Sequence, residues 1–331
     1  MNKKVINLAS RAQTRSNQTM EITVPLHLTF EEETLVDMHG LLNLMNVTAY
    51  ELMSLDSILG SPPEIELLIE KNSQMAADLR DREMAAKLIG KITEYTTGLK
   101  QTLEDLAIKA GVERDSDYLA SLDNINTVST VLELRAAEIT ARWKDPMAWV
   151  CHDLANLKKS VFSHLKAIQQ NSKGNYRIVH NIADQESSDY YLNFEINSVS
   201  HKFLWMPAAL QDVVRDLIAN ARKYTPHGGW LIAGLSQNHE RLRLVVSDTG
   251  IGIPQDEIEH VVQFGARGSN VTDRPTLGGG FGLTKAYYLT RKFSGRMWVD
   301  SSGNPGEGTR VTISIPLASE VKSKVSLDER K

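Results

Sequence analysis

The sequence predicts two unlike parts, an N-terminal all-α helical bundle followed by an α/β or α+β domain. Three observations carry this reading. Of the 21 glycines, only Gly40, Gly60, Gly90, Gly98 and Gly111 precede Gly174, and a glycine costs a helix interior about 1 kcal/mol relative to alanine. Upstream, apolar residues recur at three- and four-residue steps over long stretches, whereas downstream short β-branched runs alternate with glycine clusters. The length of 331 residues also corresponds to about two domains at roughly 150 residues each.

Composition narrows the function classes. A charged fraction of 24 % with a net charge of −4 argues against disorder and against a strongly basic nucleic-acid binder. No stretch approaches the ~18 consecutive apolar residues of a membrane span. The opening MNKKVINLASRAQTRSNQ has basic residues but no apolar core of a secretion signal. Cys151 is the single cysteine and has no internal disulfide partner, which suits a reducing cytosol. A cytoplasmic chain is the expectation.

Residues 1–30 read either as disordered or as carrying an edge strand at 21–28, where Pro25 excludes a central position. Thr29 with Glu32 has capping-box spacing. Leu35, Met38, Leu42, Met45, Ala49 and Leu52 then form a heptad-like seam. Ser61-Pro62-Pro63 stops that helix, and either proline can open the next. A second helix is expected over 64–109, with breaks near Gly90 or Gly98, a third over 117–144, and a fourth over 146–170 after Asp145-Pro146. Four amphipathic helices predict an antiparallel bundle spanning 31–172, its seams packed by Trp143 and Trp149. Trp205 is assigned to the same kind of packing.

Beyond residue 173, the alternating runs 176–182 and 190–196 read as a β-hairpin with a long loop. A helix over 207–224, a strand pair at 230–235 and 242–247, a glycine-rich loop, another helix and two closing strands complete a domain ending near 318. Residues 319–331 read as a charged mobile tail.

Three clusters in this second half carry chemistry. In DLIANARKYTP, a helix brings Asp216, Asn220 and Lys223 to one face at i, i+4 and i+7. An acid, an amide oxygen and a cation suit water activation, Mg²⁺ ligation and phosphate contact, although a solvated polar stripe explains the same pattern. In DTGIGIP, Asp248 closes an apolar strand beside Gly250 and Gly252. A carboxylate there can accept from an exocyclic amine while the glycines admit a flat base. In GGGFGLTK, Gly278 to Gly282 feed a helix N-terminus, which offers N–H groups to phosphate. The GK[ST] ending of a P-loop is missing, and the third position of G-x-G-x-x-G falls on Leu283.

In this order the clusters resemble the Bergerat-fold (GHKL) ATP-binding domain shared by sensor histidine kinases, gyrase, Hsp90-type chaperones and mismatch-repair ATPases. DLIANARKYTP is similar to the kinase N box, DTGIGIP to the G1 box and GGGFGL to the G2 box. VVQFGARG, with Phe264 and Arg267, is similar to the F box, and GEGTRVTISIPL to the closing strand. The resemblance implies that the second part is an α/β two-layer sandwich, with ATP and Mg²⁺ as cofactors. It assigns the metal to Asn220, a phosphate to Lys223, and the base pocket to Tyr224. Asp248 would take the adenine amine, supported by Thr309. Phe264, Arg267, Gly250, Gly252, Gly278, Gly280, Gly282 and Leu283 would complete the site, with 268–277 as an ATP lid. Asp216 stands where chaperone-type relatives carry a general-base glutamate, and is shorter.

A histidine kinase also needs an acceptor imidazole. His39, with Asn43 at i+4, borders the first helix's seam and precedes the Pro-Pro turn, but Gly40 occupies the position where many acceptor boxes carry an acid. His152 has Asp153 beside it and Asn156 at i+4, yet little helix follows before the strands. A surface histidine without a role is the plain alternative for each; His39 is preferred. The resemblance therefore implies a protein histidine kinase that autophosphorylates, dimerises through the helical part and passes the phosphoryl group to a response regulator receiver domain. No nucleic-acid partner is expected. The rivals are an ATP-binding scaffold or anti-sigma-like regulator without histidine phosphorylation, and a chaperone-like ATPase that uses Asp216 to hydrolyse ATP.

Overall fold

The computed structural model describes residues 19–171, 174–271 and 279–328. A helical part precedes an α/β sandwich, the order that the glycine distribution predicts and the architecture that the resemblance implies. Helix α1 (Phe30–Leu59) opens on the capping box: Thr29 Oγ1 accepts from the Glu32 amide at 3.2 Å, and the Glu32 carboxylate accepts from the Thr29 amide at 2.8 Å. Helices α2 (Pro63–Asp78), α3 (Arg82–Ile89), α4 (Ile92–Ala110) and α5 (Ser116–Lys144) follow. The long second helix of the sequence reading is thus three helices. Asp81 starts α3 by accepting from the amides of Glu83 and Met84, while Gly98 stays inside α4. Met38, Leu41, Met45, Leu52 and Leu55 of α1 pack with Leu99, Leu103, Ile125 and Leu132 in one apolar core.

The sandwich sheet runs in the order β1 (Thr19–Glu21), β8 (Arg296–Ser301), β9 (Thr309–Pro316), β7 (Arg241–Asp248), β6 (Trp230–Gln237), β4 (Tyr190–Ser198), β3 (Ile178–Val179). The edge strand expected at 21–28 is shorter and earlier, with Met20 opposite Val299. Helices α6 (Leu154–Asn171), α7 (Leu210–Tyr224) and α8 (Phe281–Lys292) cover one face of this sheet.

Four expectations are corrected. The runs near 178 and 190 do not form a hairpin: β3 and β4 are parallel, Ile178 opposite Tyr190, so the chain makes an excursion between them. Arg177 holds that excursion together through Asp189 Oδ1 at 3.0 Å. Second, 146–170 is not one helix. Residues Trp149–Asp153 form β2, antiparallel to β5 (Phe203–Pro207), with His152 opposite Leu204. Trp149 accordingly meets Phe293 edge-on at 6.0 Å rather than a bundle seam. Third, α6 buries Leu157, Val161 and Leu165 in the sandwich core, not in the bundle. Last, 319–328 is no mobile tail. It forms α9 (Ser319–Asp328), whose Val321 and Val325 are buried one turn apart in that same core. No helix among the described residues is long and apolar enough to cross a membrane.

One buried ionic cluster joins the two parts. Asp212 of α7 receives Arg135 and Arg142 of α5 at 2.5 and 2.7 Å, Arg215 of its own helix at 2.8 Å, and Lys285 of α8 at 3.1 Å. Arg215 also reaches Glu138 of α5. Burial alone would push the Asp212 carboxyl up, but Lys285, Arg135, Arg142 and Arg215 outweigh it and hold the group well below the carboxylate range. Removing one member of a buried charge set leaves the others desolvated and unpaired, at a cost of about 3–5 kcal/mol. Asp212→Asn is therefore expected to lower the unfolding free energy by about that amount, measured by chemical denaturation at pH 7. Because the folded carboxyl titrates below its ordinary value of 3.8, this stabilisation is present above pH 3.8 and is lost only as the pH falls below it. An unchanged denaturation midpoint would contradict the assignment.

Candidate functional site

A cleft open on one side lies between α7, the C-terminal end of β7, the segment 252–271, the start of α8 and β9. Its walls are largely apolar, with Leu217, Ala221, Val246, Ile253, Leu283 and Val311 facing inward, and can sandwich a flat ring.

Asp248 sets the polar floor. It is the last residue of β7 and is buried, and its Oδ1 accepts from the amides of Gly250 at 2.8 Å and Thr309 at 3.1 Å. These two donors fix the carboxylate where it lines the cleft beside Thr309. Gly308 makes the approach possible. Its φ is +68°, and a Cβ there would lie 2.0 Å from the Asp248 carbonyl oxygen.

The opposite end is cationic. Helix α8 begins at Gly280, whose φ of +80° turns the chain, with no side chain capping the helix among the described residues. Gly280, Phe281 and Gly282 line the cleft, so the uncapped first-turn N–H groups open on it and favour an anion. Asn220, Lys223 and Arg267 stand around this end. Burial, then Arg267 and Arg222, lowers the Lys223 ammonium to about 8. Arg267 donates to the Val271 carbonyl at 2.7 Å, tying down the turn Ser269–Val271. A Cβ at position 282 would come within 2.4 Å of Asn220 Nδ2, so a glycine lets the amide and the helix start approach.

The helical part also reaches this cleft, through His39 of α1. The imidazole meets the Phe281 ring edge-on at 5.3 Å, and Phe281 in turn packs on Phe264 at 4.9 Å. Asn43 Nδ2 lies 3.2 Å from His39 Nε2, one helical turn on. Burial pushes the imidazole pKa down, Asp216 opposes this, and Lys285, Lys223 and Arg135 add to it. At neutral pH the ring is uncharged and has a lone pair to donate.

The structure thus gathers His39, Asn220, Lys223, Tyr224, Asp248, Gly252, Arg267, Gly280, Gly282, Leu283 and Thr309 around one cleft. Gly250 and Phe264 support it from behind. Asp216 sits one turn before Asn220, paired with Lys285 at 3.3 Å. Gly278 and residues 272–277 of the expected lid fall outside the described residues. His152 is placed elsewhere, on β2, where burial lowers its pKa. Sequence reasoning missed Asn270, which donates to the Gly252 carbonyl at 3.0 Å, and the ionic partners Arg135, Arg142 and Lys285. No local spacing marks those partners.

Known proteins share this region. Residues 206–319 match the family described as histidine kinase-, DNA gyrase B-, and HSP90-like ATPase. Sensor histidine kinase WalK of Bacillus subtilis (strain 168) is 23 % identical over 265 residues, 77 % of this chain and 40 % of that protein. Sensor histidine kinase RppB of Synechocystis sp. is 37 % identical over 110 residues, 33 % of this chain and 24 % of that one. Among solved structures, the catalytic domain of histidine kinase ThkA has 17 % identity and a TM-score of 0.36, covering 51 % of this chain and 96 % of its own. The chain spans 40 % or less of these two curated relatives' length.

Two outcomes are expected for adenine nucleotide binding, followed by calorimetry. Affinity should be flat below pH 8, where Lys223 is already charged, and fall as the pH rises above about 8. Lys223→Met should abolish that slope, and a slope that survives would assign the titration to another group. Gly282→Val should weaken binding at least tenfold, because its side chain would occupy the Asn220 position.

Proposed function

We infer a phosphotransfer function from one premise: residues 206–319 of this chain match the histidine kinase-, DNA gyrase B-, and HSP90-like ATPase family. The chain is proposed to bind ATP in the cleft, with the adenine amine on Asp248 and the phosphates at the start of α8 beside Lys223. The acceptor is His39. The observation that carries this reading is that His39, from the helical part, lines the same cleft as Asn220, Lys223 and Gly282.

Phosphoryl transfer is mainly a matter of positioning and of charge stabilisation. Three features of the cleft support both. The α8 N-terminus and Lys223 gather positive charge where phosphates would lie. Phe281 fixes one side of the acceptor ring. Burial keeps the imidazole neutral and therefore nucleophilic.

The donor set also bears on Mg²⁺. Among the described residues no group of three or more His, Cys, Asp or Glu could hold a metal ion. A single amide oxygen, that of Asn220, suits an ion that takes its remaining ligands from phosphate and water. When bound, Mg²⁺ would offset phosphate charge.

The wider reading follows the sensor histidine kinases that the chain resembles. Phosphorylated His39 would pass its phosphoryl group to an aspartate of a response regulator receiver domain. Self-association through the helical part would involve the exposed Tyr50 and Met53 of α1. In the hydrolytic rival Asp216 would instead activate water, with Lys285 3.3 Å from its carboxylate.

Incubation of the full chain with γ-labelled ATP tests the proposal. An acid-labile, base-stable label is expected on the wild type and on His152→Gln, and none on His39→Gln. Full labelling of His39→Gln would refute the acceptor assignment. Steady phosphate release without any phosphoprotein would favour the chaperone-like ATPase.

A further inference from the structure

We infer that Asp216 is the acid partner of His39, supplying from helix α7 the negative charge that α1 lacks beside the imidazole, with Lys285 as its positioning residue. This rests on His39 being the phosphoryl acceptor. When a neutral imidazole attacks phosphorus, one ring nitrogen's lone pair forms the N–P bond. The bond between the γ-phosphorus and the bridging oxygen breaks, and ADP leaves with that electron pair. The ring keeps its other N–H and becomes a cation. In a buried site that cation needs a carboxylate close by.

The acids near His39 can be taken in turn. Position 40 is glycine, and a side chain there would start 3.4 Å from the Arg135 guanidinium, directed at the ionic cluster. Asp37 is engaged by Arg82 at 3.1 Å, Arg142 at 3.4 Å and the Trp143 indole at 3.0 Å. Asp212 is surrounded by four cations. Asp216 differs from both. Among the described residues its one ion-pair partner is Lys285, which lies 3.3 Å from Oδ2 and is shared with Asp212, and that buried oxygen makes no hydrogen bond.

Two helices place it. On α8, Phe281 and Lys285 are one turn apart on one face; Phe281 meets the His39 ring and Lys285 meets Asp216. On α7, Asp216 and Asn220 are likewise one turn apart, and Asn220 lines the cleft with His39. The charges acting on the ring agree with this placement. Asp216 is the acid that favours the imidazolium, against Lys285, Lys223 and Arg135. For Asp216 itself, burial and Asp212 raise the carboxyl, while Lys285, Arg135 and His39 lower it, and the net direction is down. The group therefore stays a carboxylate through the reaction, and balances the new charge without taking the proton.

The experiment uses the full chain as wild type, Asp216→Asn and Asp216→Glu, with two readouts. By NMR titration of the His39 imidazole, Asp216→Asn should lower the pKa and Asp216→Glu should leave it near the wild-type value. In γ-labelled ATP incubations, Asp216→Asn should slow labelling by about 100-fold with nucleotide affinity unchanged, and Asp216→Glu should recover most of the rate. A His39 titration that does not move in Asp216→Asn overturns the pairing, as does labelling of that variant at the wild-type rate. A wild type that binds ATP and never labels overturns instead the kinase reading on which the inference rests, and the titration reports on the pairing independently.

Discussion

The structure depends on one carboxylate. Asp212 lies under three guanidiniums and an ammonium, two of them from α5, one from α7 and one from α8. Burying such a set costs several kcal/mol per ion, so it is weak grounds for stability by itself. Its effect is on geometry. Apolar packing tolerates sliding, but a carboxylate that must satisfy four donors fixes three helices in one mutual arrangement. Because α1 packs on α5, that arrangement also decides where His39 lies.

Helix α8 then reads both halves of the site. Its uncapped start faces the cleft, Phe281 abuts the imidazole, and Lys285 bridges Asp212 and Asp216. A shift of α8 would change the anion end of the cleft, the packing of His39 and the ionic cluster together. Binding at the helix N-terminus and the arrangement of the helical part are thus linked through one rigid element.

Much of this was legible in the sequence where the signal is local. The Thr29–Glu32 capping box, the Pro62-Pro63 break and the shared face of Asp216, Asn220 and Lys223 each follow from spacing over a few residues. So does the turn chemistry around Asp248. Features set by distant partners were not legible. Val150, Cys151 and His152 have neighbours that read as helix, yet their backbone pairs with β5. The strand at 178 could only be called parallel once its partner's register was known. Val321 and Val325 are diluted by charged neighbours, and only the core beneath them makes that segment a helix. The ionic cluster is the extreme case: Arg135 and Asp212 are 77 residues apart, and nothing local to either announces the pairing.

The central claim is that His39 forms part of the nucleotide site. Imidazole NMR of the full chain during titration with the Mg²⁺ complex of a non-hydrolysable ATP analogue tests it most directly. The His39 signals should shift in step with nucleotide occupancy while those of His152, on β2, stay in place. His39 signals that ignore a bound nucleotide would contradict the account.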